Sequence, residues 1–247
     1  MTSNNPISIE EQLYVLLHKA EDQLAYHNYS YSESLLHQAR QLLPQSTEIG
    51  AKLHHNDIAA RLALAKGEPQ DALVWMEESL GLTKDPLALS RTSFMAAQCL
   101  FQIKGREKEV IKYCDDAVSY AETVDGQDAF KTEPMRMRAI IAFEKGDNDS
   151  AIQYISECLR YAESANLPVE KAVAFSLRSK VFERQGNLQL ALDDLYRAER
   201  YVKENHDYNH YCRIAIQRLA LMYKMGYDEQ AKEAAIAIAK DKDVQRI

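Results

Sequence analysis

An all-α fold, an α-solenoid of about six helical hairpins and about twelve helices, is what this 247-residue sequence predicts. Three observations carry the prediction. Gly67, Gly105, Gly146, Gly186 and Gly226 recur at intervals of 38 to 41 residues, and His27 takes the same register ahead of them. The stretches between them place apolar residues at three- and four-residue steps, the period of a helix rather than a strand. Eight glycines and six prolines are too few for the many turns of an all-β chain.

Each copy is expected to be two helices with the turn at the repeated position. The polar start "MTSNNPIS" is expected to be disordered over residues 1–8, with Ser8 capping the first helix through "SIEE". Copies then fall near 12–44, 53–85, 91–123, 132–164, 172–204 and 212–244, in a single domain over 9–247. The first turns at His27 in "AYHNYSYSESLL". The second turns at Gly67, and Pro69 starts its second helix, where a missing N–H costs nothing. In the third, "TSFMAAQCLFQIKG" leads into Gly105. The fourth and fifth turn at Gly146 and Gly186, and Asp147 and Asn187 follow as caps for the next helix. The sixth turns at Gly226 in "YKMGYDEQAKEAA". Glycine suits the site because it takes the left-handed conformation that ends a helix. Pro44, Pro86, Pro134 and Pro168 are read as junctions between copies.

Small residues mark where helices must approach closely. Three columns stand five and twelve residues after the turn and seven before it. Fourteen of their eighteen members are Ala, Ser or Cys, which places the hairpin contact there. A large column, Leu42, Leu82, Tyr120, Tyr161 and Tyr201, is expected to pack on the next copy.

The glycine before the second helix, the alanine five on, the bulky residue nine on (Leu36, Met76, Cys114, Ile155, Leu195, with Ala235 in the last copy) and the alanine twelve on resemble the tetratricopeptide repeat (TPR), over about residues 10 to 240. The resemblance implies a right-handed solenoid of TPR-like hairpins. The usual repeat has 34 residues; the longer copies here look like those of bacterial regulators and sensors, where the array receives a peptide or protein signal. The implied function is a protein- or peptide-binding module, acting as an adaptor or as a sensor and regulatory domain in signalling or transcription control. The alternative is a structural assembly protein that self-associates through its ends or convex face and has no groove ligand.

In the family, first helices line a concave groove. Register then assigns to it Tyr14, Asp57, Arg61, Met95, Arg136, Ser176, Lys180, Arg213 and Tyr223, with Glu21, His54 and Thr92 among their neighbours. Such a polar, charged set suits a peptide held by side-chain hydrogen bonds and salt bridges. The family's carboxylate clamp for chaperone C-termini is not expected, because its positions read Leu17, Glu21 and Asp57. Arg138, Arg178 and Arg218 form a basic column where leucine is usual. Either their stems are buried and their heads paired with acids such as Asp194 and Glu157, or they join Arg136, Lys180 and Arg213 in a strip for an acidic peptide or anion.

No catalytic residue, cofactor or metal is expected. The glycines are spent on turns, so no phosphate loop remains, and HExxH and GxSxG are absent. His206 and His210 have metal-pair spacing but lack a third ligand, and adjacent His54 and His55 must face different sides of a helix. The net charge of −7 disfavours a nucleic-acid partner. No apolar run is long enough to cross a membrane, and no secretory signal opens the chain. With four scattered cysteines, this suggests the cytoplasm. At the C-terminal end, Ala231, Ala235 and Ile238 are expected to face outward under a partner, a second copy of the chain or a further domain.

Overall fold

The computed structural model describes residues 7–241 and 244, and among them it contains twelve α-helices, one short 3-10 turn and no strand. The chain divides into two compact units, Met1–Val124 and Asp125–Ile247. The first holds three hairpins: α1 (Ile9–Ala25) with α2 (Tyr29–Leu42), α3 (Ile49–Lys66) with α4 (Pro69–Leu82), and α5 (Pro86–Phe101) with α6 (Glu107–Glu122). The second holds three more: α7 (Ala129–Glu144) with α8 (Asn148–Ser164), α9 (Pro168–Arg184) with α10 (Leu188–Glu204), and α11 (Tyr208–Lys224) with α12 (Asp228–Ala239). The expected disordered stretch lies outside the described residues up to position 6. Ser8 is described and closes the capping box with Glu11.

Every turn between the two helices of a hairpin carries a left-handed residue at the repeated position, including His27 at φ 59°. The second unit goes further. Gly126, Gly146, Asn166, Gly186, His206 and Gly226 are all left-handed and stand twenty residues apart, and from Gly146 onward the chain reverses the same way between copies as within them. At the last five, the amide one past the left-handed residue bonds back over a whole turn, as Asp147 N–H does to the Ala142 carbonyl at 3.0 Å.

The hairpins close through the small columns. Ser32, Ala72, Val110, Ala151, Ala191 and Ala231 are all at most 1% exposed. The approach is close enough for side chain to meet backbone across the pair. Ser32 Oγ donates to the Ala20 carbonyl at 2.8 Å, Ser90 Oγ to Ala117 at 2.7 Å, and Cys158 Sγ to Thr132 at 3.3 Å. Around these contacts Leu13, Leu17 and Ile58 in one unit, and Leu195, Val202 and Ile214 in the other, are fully enclosed. Each buried side chain of this size contributes about 1.5–3 kcal/mol.

Three expectations are corrected. Pro134 is no junction: it is buried inside α7, because that helix begins at Ala129, upstream of the repeat boundary. Asn187 makes no side-chain cap bond, whereas Asp147 accepts from the Ser150 amide at 3.0 Å. Tyr201 stacks on Phe175 of its own copy, ring centroids 6.0 Å apart, and also packs on the core cluster that α9 and α10 share with Tyr211 and Ile214 of the next copy. Ala231 does not face outward but is enclosed with the α10–α11 core, and Ile238 packs half-buried against the same core; the exposed large apolar residue of α12 is Ile236.

The left-handed column yields a stability test. An added Cβ at Gly186 would meet nothing within 4 Å, so its only penalty is the torsion. Gly186→Ala should cost about 1–2 kcal/mol. His206→Gly should gain about 0.5–1 kcal/mol, relief of the same torsion less the entropy glycine adds to the unfolded chain. Urea midpoints followed by circular dichroism should move in opposite directions for the two variants.

Candidate functional site

In the first unit the first helices of successive copies build a cleft of about 610 Å³. Three of the expected groove residues, Asp57, Arg61 and Met95, line it together, joined by Glu21, His54 and Thr92. Arg61 is held between two carboxylates: Nη2 lies 2.6 Å from Glu21 Oε1, and Nε lies 3.0 Å from Asp57 Oδ2, one turn away on α3. His54 Nε2 meets the other Glu21 oxygen at 3.3 Å. The Arg61 hydrogen bond, aided by His54, holds the Glu21 carboxyl below its usual range against the opposing effect of burial. All these groups remain about a third exposed, so each pair is worth about 0–1 kcal/mol. The network orients charge more than it stabilises the fold. Leu53, Phe94 and Met95 supply the apolar lining, and exposed Arg91 lies at the cleft with no ion pair among the described residues.

Tyr14 is not in this cleft. It is 65% exposed and lines a separate surface with Ile7, Val15 and Glu48. Its ring sits edge-on 4.1 Å from His18, which in turn meets His54 at 5.3 Å, so a row of rings leads from Tyr14 to the cleft.

In the second unit the expected residues have different surroundings. Arg136 pairs with Glu133 on its own helix. Ser176 Oγ donates to Gln217 Oε1 at 2.7 Å, and Gln217 Nε2 donates back to the Ser176 carbonyl and to Ser179 Oγ, so Ser176 closes the α9–α11 seam. Lys180, Arg213 and Tyr223 are exposed on α9 and α11.

The arginine column is held largely within its own unit. Arg178 makes a two-pronged pair with Asp194, Nε–Oδ2 2.7 Å and Nη2–Oδ1 2.8 Å, and Asp194 is only 2% exposed. Arg138 Nη2 donates to the Tyr154 hydroxyl at 2.8 Å, and its guanidinium lies over that ring. Both partners stand sixteen residues after their arginine. The same step from Arg218 reaches Ala234, which offers no acceptor. Arg218 instead reaches back to α10, where Nε meets Glu199 Oε2 at 2.9 Å. Burial pushes the Glu199 carboxyl up, with Arg218 opposing. The other acid proposed from sequence, Glu157, accepts from Gln153.

His206 and His210 do not form a helical pair. His206 occupies a left-handed turn, and His210 Nδ1 lies 2.7 Å from Asp207 Oδ2 on α11. Among the described residues, no group of three His, Cys, Asp or Glu is placed to hold a metal ion, and no helix is long and apolar enough to cross a membrane.

A second cleft, of about 390 Å³, was not foreseen from the sequence. It lies between the second helices α2 and α4, on the opposite side of α3 from the first. His54 and His55 divide between the two, as adjacent helical residues must. His55 is 2% exposed, with Nδ1 3.0 Å from Asn56 Oδ1 and its ring edge-on to Trp75 at 5.4 Å. Arg40 covers Trp75 from above, 4.9 Å from the ring centroid.

Two tests follow from these surroundings. Arg178→Ala leaves the buried Asp194 carboxylate with only the exposed Arg197, 3.7 Å away, and should cost up to about 3–5 kcal/mol, while Arg178→Ala/Asp194→Ala should recover part of the loss in urea titrations. Burial, reinforced by the Arg40 charge, pulls the His55 imidazole below its ordinary value, while Asn56, the Leu36 backbone and Glu78 oppose this. The unfolded chain therefore takes up that proton first. Stability should fall as pH drops below about 6.5, and His55→Gln should flatten that limb in thermal melts taken across pH.

No family model and no curated protein matches the chain. Solved structures do. A Signal Transduction ATPase with Numerous Domains protein with a tetratricopeptide repeat sensor, from Pyrococcus horikoshii, is similar at TM-score 0.77 and 13% identity, over 95% of this chain and 36% of that one. A Rap protein complexed with competence and sporulation factor is similar at TM-score 0.71 and 14% identity, over 99% and 68%. The apo quorum sensor NprR from B. thuringiensis gives TM-score 0.69 and 14% identity, over 94% and 68%. At these identities the likeness is one of fold, and with the twelve helices and their repeated turns it makes the chain a tetratricopeptide-like helical repeat protein.

Proposed function

We propose that the chain is a protein- or peptide-binding module that serves as an adaptor or as a sensor and regulatory part of a signalling or transcription-control system, with no catalytic role. The observation that carries this reading is the cleft on α1, α3 and α5, where Asp57, Arg61 and Met95 converge as the repeat register requires. Its mixed lining suits a peptide: apolar Leu53, Phe94 and Met95 take a side chain, and the Glu21–Arg61–Asp57 network offers fixed donors and acceptors. Similar folds described as a quorum sensor, as a repeat sensor and as a complex with competence and sporulation factor support the sensing role. A reducing compartment such as the cytoplasm fits the cysteines. All four are thiols outside any disulfide, and burial pushes the Cys99 and Cys158 thiols up to about 12, which keeps them protonated and inert.

The test is a peptide array read with the wild type and with Arg91→Glu/Met95→Glu, two cleft substitutions outside the Arg61 network. Peptides bound by the wild type should lose at least about tenfold in affinity to the variant, with circular dichroism unchanged. Equal binding by both proteins would remove the function from this cleft.

A further inference from the structure

The second cleft has features that the first-helix reading does not use. Its floor and walls are apolar, from Leu36, Leu62, Ala63, Val74 and Trp75, and Val74 is 60% exposed there. Its charges are sorted by end. At one end Glu33, Glu68 and Asp71 surround a single cation: Lys66 Nζ lies 3.2 Å from Glu33 and 3.8 Å from Glu68. Three carboxylates against one ammonium leave that end negative, and Asp71 has no ion pair among the described residues. At the other end stand Arg40, lying over Trp75, and His37. Glu33 and Arg40 are seven residues apart on α2, about 10 Å along its axis. The groove is thus an apolar strip about two helical turns long, acidic at one end and basic at the other.

We propose that this groove is a second binding site, which takes one amphipathic helix of a partner protein. That helix sets a lysine or arginine against Glu33, Glu68 and Asp71, a leucine-sized side chain on Leu36, Val74 and Trp75, and a carboxylate near Arg40 two turns further on. The charge order argues for a helix of this pattern over any apolar surface, since an apolar segment without the cation would leave the acidic end desolvated and uncompensated. The site goes beyond the proposed peptide cleft and lies across α3 from it, so one unit could hold a signal and a partner at once.

Trp75 is the only tryptophan of the chain, so intrinsic emission reports on this groove. The probe is a tryptophan-free, alanine-based helical peptide carrying Lys, Leu and Glu at i, i+4 and i+7. It should shift Trp75 emission saturably. The same peptide with Lys replaced by Glu should bind at least about tenfold more weakly. Asp71→Lys, at an exposed position, leaves two carboxylates against two ammoniums and should abolish that preference, and Asp71→Asn should weaken the first peptide without favouring the second. Arg91→Glu/Met95→Glu should leave all of this unchanged, which separates this site from the first cleft. No saturable shift with either peptide would overturn the proposal. So would equal binding of both, or loss of binding in the Arg91→Glu/Met95→Glu variant.

Discussion

The close approach of the two helices in each hairpin is the constraint on which the other features depend. At the position five residues past the turn nothing larger than valine fits, and all six residues there are sealed from solvent. Opposite them, Ala20, Ala60, Ala139 and Ser179 are sealed too. Two surfaces this small, pressed together, fix each helix in rotation as well as distance. Rotation then decides what the remaining positions do. With Ala60 facing α4, α3 must turn His54, Asp57 and Arg61 to one side and His55, Ala59 and Leu62 to the other. Both clefts of the first unit follow from one alanine contact.

The connections add a second level of order, and they differ between the units. In the second unit a left-handed residue every twenty positions makes each reversal alike, whether it joins helices of one copy or of two. In the first unit the links between copies are irregular: a 3-10 turn over Leu43–Gln45, then an extended stretch that ends in the Asp85 cap, which accepts from the Ala88 amide at 2.8 Å. Gly50 and Ala88, at the starts of the helices that follow these links, both line the first cleft. The departure from regularity therefore borders the part of the molecule that has room for a ligand.

The hairpins were legible in the sequence because their determinants are local. A glycine, an alanine five residues on and a helical period are all visible within twenty residues. The left-handed turns at Asn166 and His206 were less visible. Asparagine takes that conformation without a distinctive signal, and His206 stands out in the sequence only for its spacing from His210, a metal pairing set aside for want of a third ligand. The groove list was legible by register but not by contact. Asp57, Arg61 and Met95 converge, whereas Ser176 is committed to the seam with Gln217, and no spacing rule could distinguish the two cases. Asp194 is one of two acids named for the arginine column, and the sixteen-residue step that pairs it with Arg178 emerges only from the structure; from Arg218 that step lands on Ala234, and the acid comes from the preceding copy. The second cleft escaped notice since its parts, Arg40, His55 and Trp75, sit on three helices and share no motif.

The polar contacts between neighbouring first helices carry the repeat period themselves. Glu21 meets Arg61 forty residues on, Ser176 meets Gln217 forty-one on, and Glu183 meets Lys224 forty-one on. The ion pairs among them are partly exposed and individually weak, so apolar burial, not these pairs, holds the copies together. What the pairs settle is register: a slip of one residue would carry each partner about 100° around its helix and break every contact at once. In the first unit the same device bears on the proposed recognition. Arg61 is already neutralised by Glu21 and Asp57, so a ligand that competes for its guanidinium must displace two carboxylates. Arg91 carries no such commitment. An acidic group entering the cleft therefore gains most at Arg91, while the fixed network beside it offers donors and acceptors that need no reordering, so on the proposed reading the cleft selects a peptide by shape and hydrogen-bonding pattern more than by net charge.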